Sequence, residues 1–414
     1  TRRRFCPGGH CGGVPMTATQ PRSRKVQQGA ARRRHPTARS TPDGRGPRRP
    51  VGRRTTVFLA LFGATSILTS LGAVMVLSAS AASSIAETES AWSLFQRQLM
   101  WVAIGAIVML GTMRMDYHRW RILAAPSIVG CGVVLVVVLI PGVGLSANGA
   151  TRWLGVGPFT MQPSELVKFA IVLFAADLLG RPGRPIEHTK ITVRPILFVT
   201  AVFAVLLMFQ PHLGAVLVIG ITVVAMLFLA GAPLGHLVGT GVAGGGFAAA
   251  IVLATPWRRD RFLAFLDPWA DPAGVGYQPL QSLHAITKGG WSGVGLGASY
   301  AKWGFLPFAH TDFIFAIVAE ELGMLGAASV ICGFVVIGVA GIMAALRAPD
   351  RFGMLLAVGI TTWVVVQALL NMGAVMAVLP VMGVTLPFLS FGGSSMVVTL
   401  GAMGVLMNVA RQGH

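Results

Sequence analysis

Ten apolar stretches separated by polar breaks leave this chain few ways to fold. They run over 57–79, 99–113, 124–140, 165–180, 195–209, 213–231, 234–254, 322–346, 353–377 and 383–409. A helix needs about 20 apolar residues to cross a hydrocarbon core, and backbone inside that core must satisfy its own hydrogen bonds. The expectation is an all-α polytopic membrane protein with about ten transmembrane helices and one large extracytoplasmic loop. Composition agrees: 11% of the residues are charged, against about 25% in a soluble domain. The second stretch is short, with Arg97 and Arg114 placed to snorkel at its ends. Arg53, Arg54 and the cleavage-like Ala79-Ser80-Ala81 give the first stretch some look of a signal peptide. Its apolar run is too long for that and many spans follow, so an uncleaved helix is expected.

The net charge of +19 is uneven. Residues 1–54 carry fifteen Lys and Arg against the single acid Asp43, leaving +5 for the rest. Rich in Arg, Pro and Gly, this segment cannot bury a core and reads as a disordered basic cytoplasmic arm, either solvated or drawn to anionic membrane lipids. A single Phe, Phe5, lies among its bases, which is no aromatic interleaving, so nucleic acid is not an expected partner. Residues 55–412 read as one transmembrane domain. With the arm inside, the inner loops hold Arg114, Arg119, Arg121, Arg181, Arg184, Lys190, Arg194, Arg347 and Arg351, while the short outer loops hold only Arg97 and Arg152. That asymmetry predicts two cytoplasmic termini and an outer position for the long loop 255–311. Cys6 and Cys11 lie in the arm and Cys131 and Cys332 in apolar stretches, with neither disulfide nor metal-ligand spacing. A Walker A sequence is absent, and Gly293-x-Gly295-x-Gly297 lacks the strand–helix context of a dinucleotide site.

Pro256 to Gly323 is the only long polar interval after the arm, and it runs into an apolar segment through Asp312, Glu320 and Glu321. Long loops in compact proteins are usually functional, and acids near hydrocarbon need partners. If 312–321 is helical, Asp312, Ala316 and Glu320 share a stripe, with the two acids about 12 Å apart along the axis. Asp312 then suits either a helix cap or acid–base chemistry; Glu320 and Glu321 suit a structural ion pair or a site. Glu165 and Lys168 are helix neighbours. They form either a buried pair or, with Arg152, a positive site for an anionic group in which Glu165 holds Lys168. His212, in the break Gln210-Pro211-His212-Leu213-Gly214, fits a hydrogen-bonded structural residue or a proton-transfer group. Ser394 and Ser395 follow a Pro- and Gly-broken run from 386 that lines a cavity or packs helices.

Together the stretches GATRWLGVGPFTMQPSELVKFA, QPHLG, DPWADPAGVGYQPLQSLHAITKGGWSGVGLG, KWGFLPFAHTDFIFAIVAEELG and LPVMGVTLPFLSFGGSSMVVTLGAMGVLMNV resemble the FtsW/RodA (SEDS) family over residues 55–412, more the FtsW type than RodA. The resemblance implies a peptidoglycan glycosyltransferase that polymerises lipid II at the outer face of the bacterial cytoplasmic membrane during cell division. It also implies a class B penicillin-binding protein partner, other divisome partners and a septal location. The Asp of the HTDFIF motif is the family's essential acid, which makes Asp312 the expected catalytic base. Arg152, Lys168 and Lys302 are the expected cations for the leaving diphosphate; Glu165, Gln281, Ser282, His310, Glu320, Ser394 and Ser395 are further expected substrate-binding residues. No cofactor is required by these residues, though a divalent cation, Mg or Mn, would be able to share the cations' task. The alternatives are a lipid II flippase and a non-catalytic divisome scaffold. Three positions depart from the family pattern: His212 replaces its usual Asp, Phe308 a frequent Glu and Phe391 a commoner Tyr.

Overall fold

Backbone that cannot reach water has to close its own hydrogen bonds, and this chain does so as helices. The computed structural model describes residues 55–88, 92–147, 150–156, 159–181 and 191–413; the expected arm over 1–54 lies outside the described residues. Twelve α-helices follow in order among the described residues: α1 (Thr56–Thr88), α2 (Ser93–Arg114), α3 (Trp120–Val138), α4 (Pro163–Leu179), α5 (Val193–Phe209), α6 (Leu213–Leu229), α7 (Leu234–Ala254), α8 (Pro256–Leu266), α9 (Tyr277–Gly289), α10 (Ile314–Leu346), α11 (Arg351–Val375) and α12 (Gly393–Gln412). Each expected apolar stretch coincides with one of them. Seven are long and apolar enough to cross a membrane, and α5 and α6 are shorter apolar helices.

The core lies around α4, α11 and α12. Every residue of α12 from Thr399 to Ala410 is buried, whereas α7 buries only Leu237. A helix apolar on all sides and bare of protein neighbours fits a hydrocarbon surround. The contact of α2 with α12 is close because Gly404 has no side chain. A Cβ there would lie 2.0 Å from Thr112 Oγ1 and 2.4 Å from the Met109 carbonyl. Thr112 donates to the Gly401 carbonyl at 3.0 Å, and Asn408 donates to the Met113 carbonyl at 2.8 Å.

The polar end of the bundle differs from expectation in four ways. First, α10 starts at Ile314 rather than 322 and is broken at Gly323, where φ is 67° and ψ is −162°. The break frees the Glu320 and Glu321 carbonyls, which accept from the Val294 and Gly295 amides at 3.0 and 3.1 Å. The Gly293-x-Gly295-x-Gly297 pattern is thus a docking strip for α10. Second, α12 starts at Gly393 rather than 383, because Pro380, Gly383, Pro387 and Gly392 keep 376–392 non-helical. Third, the interval 144–161 forms an unforeseen antiparallel sheet of β1 (Gly144–Ala147), β2 (Ala150–Val156) and β3 (Phe159–Met161), in that order. Fourth, the long polar interval contains α8 and α9 rather than plain loop.

Gly323 sits in a conformation that only glycine adopts freely, and a Cβ there would be 2.3 Å from the Gly293 amide nitrogen. Gly323→Ala is expected to cost about 1–3 kcal/mol and to lower the thermal unfolding midpoint of the purified protein. Gly63→Ala, in a helix with nothing within 4 Å of the new methyl group, should leave that midpoint unchanged.

Candidate active site

Asn371 is a polar residue inside the mainly apolar α11. Its side-chain amide donates to the Asp312 carbonyl at 2.7 Å and to the Val384 carbonyl at 2.6 Å. Ser390 adds a second tie, donating to the Thr311 carbonyl at 2.6 Å and accepting from the Leu386 amide at 2.8 Å. The Phe391 amide donates to the His310 carbonyl at 2.9 Å. These bonds fix the 310–312 turn against the non-helical 384–391 segment. Asp312 therefore precedes α10 instead of lying on it, and the expected stripe with Glu320 does not form. The N-cap of α10 is Phe313, without a side-chain cap bond. Among the described residues the Asp312 carboxylate has neither a hydrogen bond nor an ion pair. It lines a narrow pocket with Asn371 and Gly383, with about 230 Å³ of empty space, open water included.

Arg152 projects from β2 into the break between α5 and α6. Its Nε donates to the Gln210 carbonyl at 2.9 Å and its Nη2 to the Pro211 carbonyl at 2.6 Å. Carbonyls at a helix C-terminus are natural partners for a cation. Nη1 is left toward Gly383: a Cβ at that glycine would lie 3.8 Å from Arg152 Nη1 and 3.7 Å from Asp312 Oδ2. The acid and the base thus flank a position that carries no side chain. On the arginine side opens a cleft with about 540 Å³ of empty space, open water included, lined by Arg152, Trp257, Arg258, Arg261, Phe262 and Pro380–Gly383, among others. Burial pushes the Asp312 carboxyl up to about 6, against the opposing pull of Arg152 and Arg261. Burial also lowers Arg152, as do the nearby charges of Arg261 and Arg258, while Asp312 raises it.

The structure brings Asp312 and Arg152 together and places the other expected residues elsewhere or in local bonds. Lys168 Nζ donates to Glu165 Oε1 at 2.7 Å and to Gln367 Oε1 at 2.6 Å, and lies 5.3 Å from the Trp363 ring centre. Lys302 Nζ donates to Glu321 Oε1 at 3.3 Å, Ser78 Oγ at 3.1 Å and the Gly297 carbonyl at 2.5 Å. Neither lysine lines the cleft; both are buried where a carboxylate balances them. Glu320, also buried, accepts from the Ser299 hydroxyl and from the Tyr300 and Ala301 amides, so it anchors the 297–302 turn. Ser282 donates to the Val375 carbonyl at 2.6 Å, tying α9 to α11, and Gln281 is partly buried beside it. Ser394 accepts from the Gln162 amide at 3.0 Å, Ser395 lies 3.3 Å from the Thr385 hydroxyl, and the His310 ring packs edge-on to Phe391. His212 accepts at Nδ1 from the Ala215 amide at 3.4 Å and faces the Gln162 side chain at 3.0 Å, a capping role.

Four residues at the site escape the sequence reading: Arg258, Arg261, Asn371 and Gly383. The i, i+3 spacing of the two arginines beside Trp257 was a signal for a shared helix face. The amide at 371, one helical turn after Gln367 in a mainly apolar run, was another, since polar groups in a span need a reason. Nothing local marks Gly383, whose importance comes from what faces it across the chain.

With this geometry established, likeness to known proteins becomes informative. Residues 58–414 match the FtsW/RodA/SpoVE family, described as "Cell cycle protein". The chain is 43% identical to Stage V sporulation protein E of Bacillus subtilis (strain 168), over 76% of this chain and 86% of that one. It is 40% identical to the probable peptidoglycan glycosyltransferase FtsW of Geobacter metallireducens, over 76% of this chain and 84% of that one. A chain of the structure described as "Structural coordination of polymerization and crosslinking by a peptidoglycan synthase complex" superposes with a TM-score of 0.71 at 29% identity, covering 85% of this chain and 97% of that one. The crystal structure of the rod shape determining protein RodA of Thermus thermophilus gives 0.65 at 26% identity, covering 89% and 99%.

Removing Lys168 would leave Glu165 charged, buried and unpaired. Lys168→Ala is expected to destabilise the protein by about 3–5 kcal/mol, seen as loss of monodisperse protein on mild heating. Glu165→Gln combined with Lys168→Met should recover most of that loss; failure to recover would show that the pair does more than hold α4.

Proposed function

The chain belongs to the FtsW/RodA/SpoVE family, and from that premise we propose that it is a peptidoglycan glycosyltransferase of the bacterial cytoplasmic membrane, polymerising lipid II with Asp312 as general base. The observation that carries this reading is an unpaired carboxylate held opposite an arginine across a side-chain-free gap. Asp312 accepts the proton of the acceptor sugar's 4-hydroxyl. The oxygen attacks the donor's anomeric carbon as the bond to the diphosphate breaks, and the electron pair leaves with the diphosphate oxygen. The α-linked donor becomes a β-1,4 product in one inversion. Charge that grows on the leaving diphosphate is met by Arg152, whose position is set before the reaction by two backbone carbonyls.

Among the described residues no three His, Cys, Asp or Glu side chains come together. The carboxylate that lines the site among the described residues is the proposed base, so a divalent cation would sit on the leaving diphosphate, where it would supply further positive charge.

The likeness to a chain of a peptidoglycan synthase complex supports a cross-linking partner, read here as a class B penicillin-binding protein. The FtsW-named relatives support a division role at the septum. Basic residues concentrated at the α2–α3 and α10–α11 connections support a cytoplasmic position for that end and for both termini, with Asp312 at the outer face.

Purified protein given labelled lipid II with its partner should make glycan chains. Asp312→Asn should cut that rate by about 10²–10⁴-fold while the complex still elutes intact; glycan made at the normal rate by the variant would remove Asp312 from the chemistry. The pH profile offers an independent check. Asp312 must be ionised to accept a proton, so kcat/KM should fall about tenfold per pH unit below about 6 and level off above it. A profile flat through that window would exclude a base with this environment.

A further inference from the structure

Resting on the reading of Asp312 as the base, we propose that Arg258 and Arg261 of α8 join Arg152 to form the subsite for the diphosphate of the lipid-linked donor, with Trp257 and Phe262 receiving the first part of its lipid chain. Three guanidinium groups from β2 and α8 line one cleft. Among the described residues none of the three has a carboxylate within 4.0 Å; the neighbouring Arg259 does, at 3.8 Å from Asp260. Like charges gathered beside apolar walls repel one another, and an arriving anion relieves that cost. Their positions suit the task. Arg258 and Arg261 are one helical turn apart, and their guanidinium carbons lie 5.1 and 5.6 Å from the centre of the Trp257 ring. Stacking on an aromatic face fixes a guanidinium plane without consuming its N–H donors. Arg258 Nε is buried without a hydrogen-bond partner, so the donors it can offer an anion are those of its guanidinium end.

The surroundings say what kind of anion. Behind the arginines the cleft is walled by Val252, Leu213 and Phe262. It continues onto α7 and α8, whose Leu253, Leu263 and Leu266 are more than half exposed. A cluster of cations at the head of an apolar wall fits an amphiphile with a phosphate head. Both a polyprenyl diphosphate and an anionic phospholipid have that chemistry. Three cations match the two to three charges of a diphosphate better than the single charge of a phosphodiester, and guanidinium forks match its oxygens in pairs. The location also fits the reaction. Gly383 lines both the arginine cleft and the pocket of Asp312, so a donor held here places its anomeric carbon by the bare glycine, between leaving group and base.

The test uses the full-length chain with its partner in lipid nanodiscs. Undecaprenyl diphosphate, undecaprenyl monophosphate and phosphatidylglycerol are each added as competitors of polymerisation and measured for direct binding. For the wild type, the diphosphate should compete at least about 10-fold better than the monophosphate, and phosphatidylglycerol should not compete. Arg258→Gln with Arg261→Gln should bind the diphosphate about 10–100-fold more weakly and raise KM more than it lowers kcat, with partial rescue by Lys at both positions. Asp312→Asn should bind the diphosphate as the wild type does while its polymerisation rate falls about 10²–10⁴-fold. Wild-type affinity in the double Gln variant overturns the proposal, as does equal competition by phosphatidylglycerol, which would make the cleft a phospholipid headgroup site. Where the double variant fails to fold, Arg258→Gln and Arg261→Gln are read singly in the same binding assay, and wild-type affinity in both overturns the proposal. Normal polymerisation by Asp312→Asn would instead overturn the base and leave the binding comparison to judge the arginines alone.

Discussion

One side-chain amide holds together the two irregular segments on which the site is built. Asn371 spans from the Asp312 carbonyl to the Val384 carbonyl, and both would otherwise be buried acceptors without donors. Non-helical backbone at this depth is tolerable only when such groups are satisfied. An Asn has two donors on one nitrogen, so a single residue can serve two chains where a hydroxyl would serve one. The turn that carries the acid and the turn that carries Gly383 are therefore positioned by the same atom, and their separation does not depend on loop stiffness. Ser390 repeats the device one step further along, bridging Thr311 and Leu386.

The charges of this protein divide into two kinds. Lys168 with Glu165, Lys302 with Glu321, and Asp177 with Arg121 and Arg181 are matched within hydrogen-bond reach or close to it. Such pairs hold helices together and offer little to a ligand, since any new partner must displace an old one in a low-dielectric setting. Asp312, Arg152, Arg258 and Arg261 are near enough to feel one another yet unpaired. They retain the free valence that binding and proton transfer require. The division separates expected cations that line the cleft from those that do not, although all are basic residues beside the membrane.

The helical architecture was legible in the sequence because hydropathy is a local property summed over about 20 residues. The boundaries that failed did so for a shared reason. Residues 383–392 and 314–321 are apolar enough to read as span or non-span indifferently; Pro387 and Gly392, with the Asn371 side chain on the Val384 carbonyl, keep the first out of a helix, and the amides of Val294 and Gly295 receive the end of the second. The site was half legible. Asp312 and Arg152 stood out as charges at the edges of apolar runs. Lys168 and Lys302 stood out equally; the Glu165–Lys168 pair was one of two readings that spacing allowed and the fold selects it, whereas only the fold reveals that Glu321 neutralises Lys302. The α8 arginines went unnamed because the interval holding them was read as loop; as a helix, the same residues acquire a face.

His212, where the family pattern has Asp, shows how the fold accommodates its departures. The residue caps α6 by accepting from the Ala215 amide, a task for which Asp is well suited and which neutral imidazole also performs. The cap survives the substitution while a negative charge disappears next to Arg152, which bonds the adjacent Pro211 carbonyl. An acid at 212 would draw on the same guanidinium that faces Gly383. Without it, Arg152 is anchored by carbonyl dipoles alone and keeps its full charge directed toward the cleft. The change therefore removes no group that the proposed proton transfer uses, and it leaves the cationic side of the gap more positive than a carboxylate at that turn would.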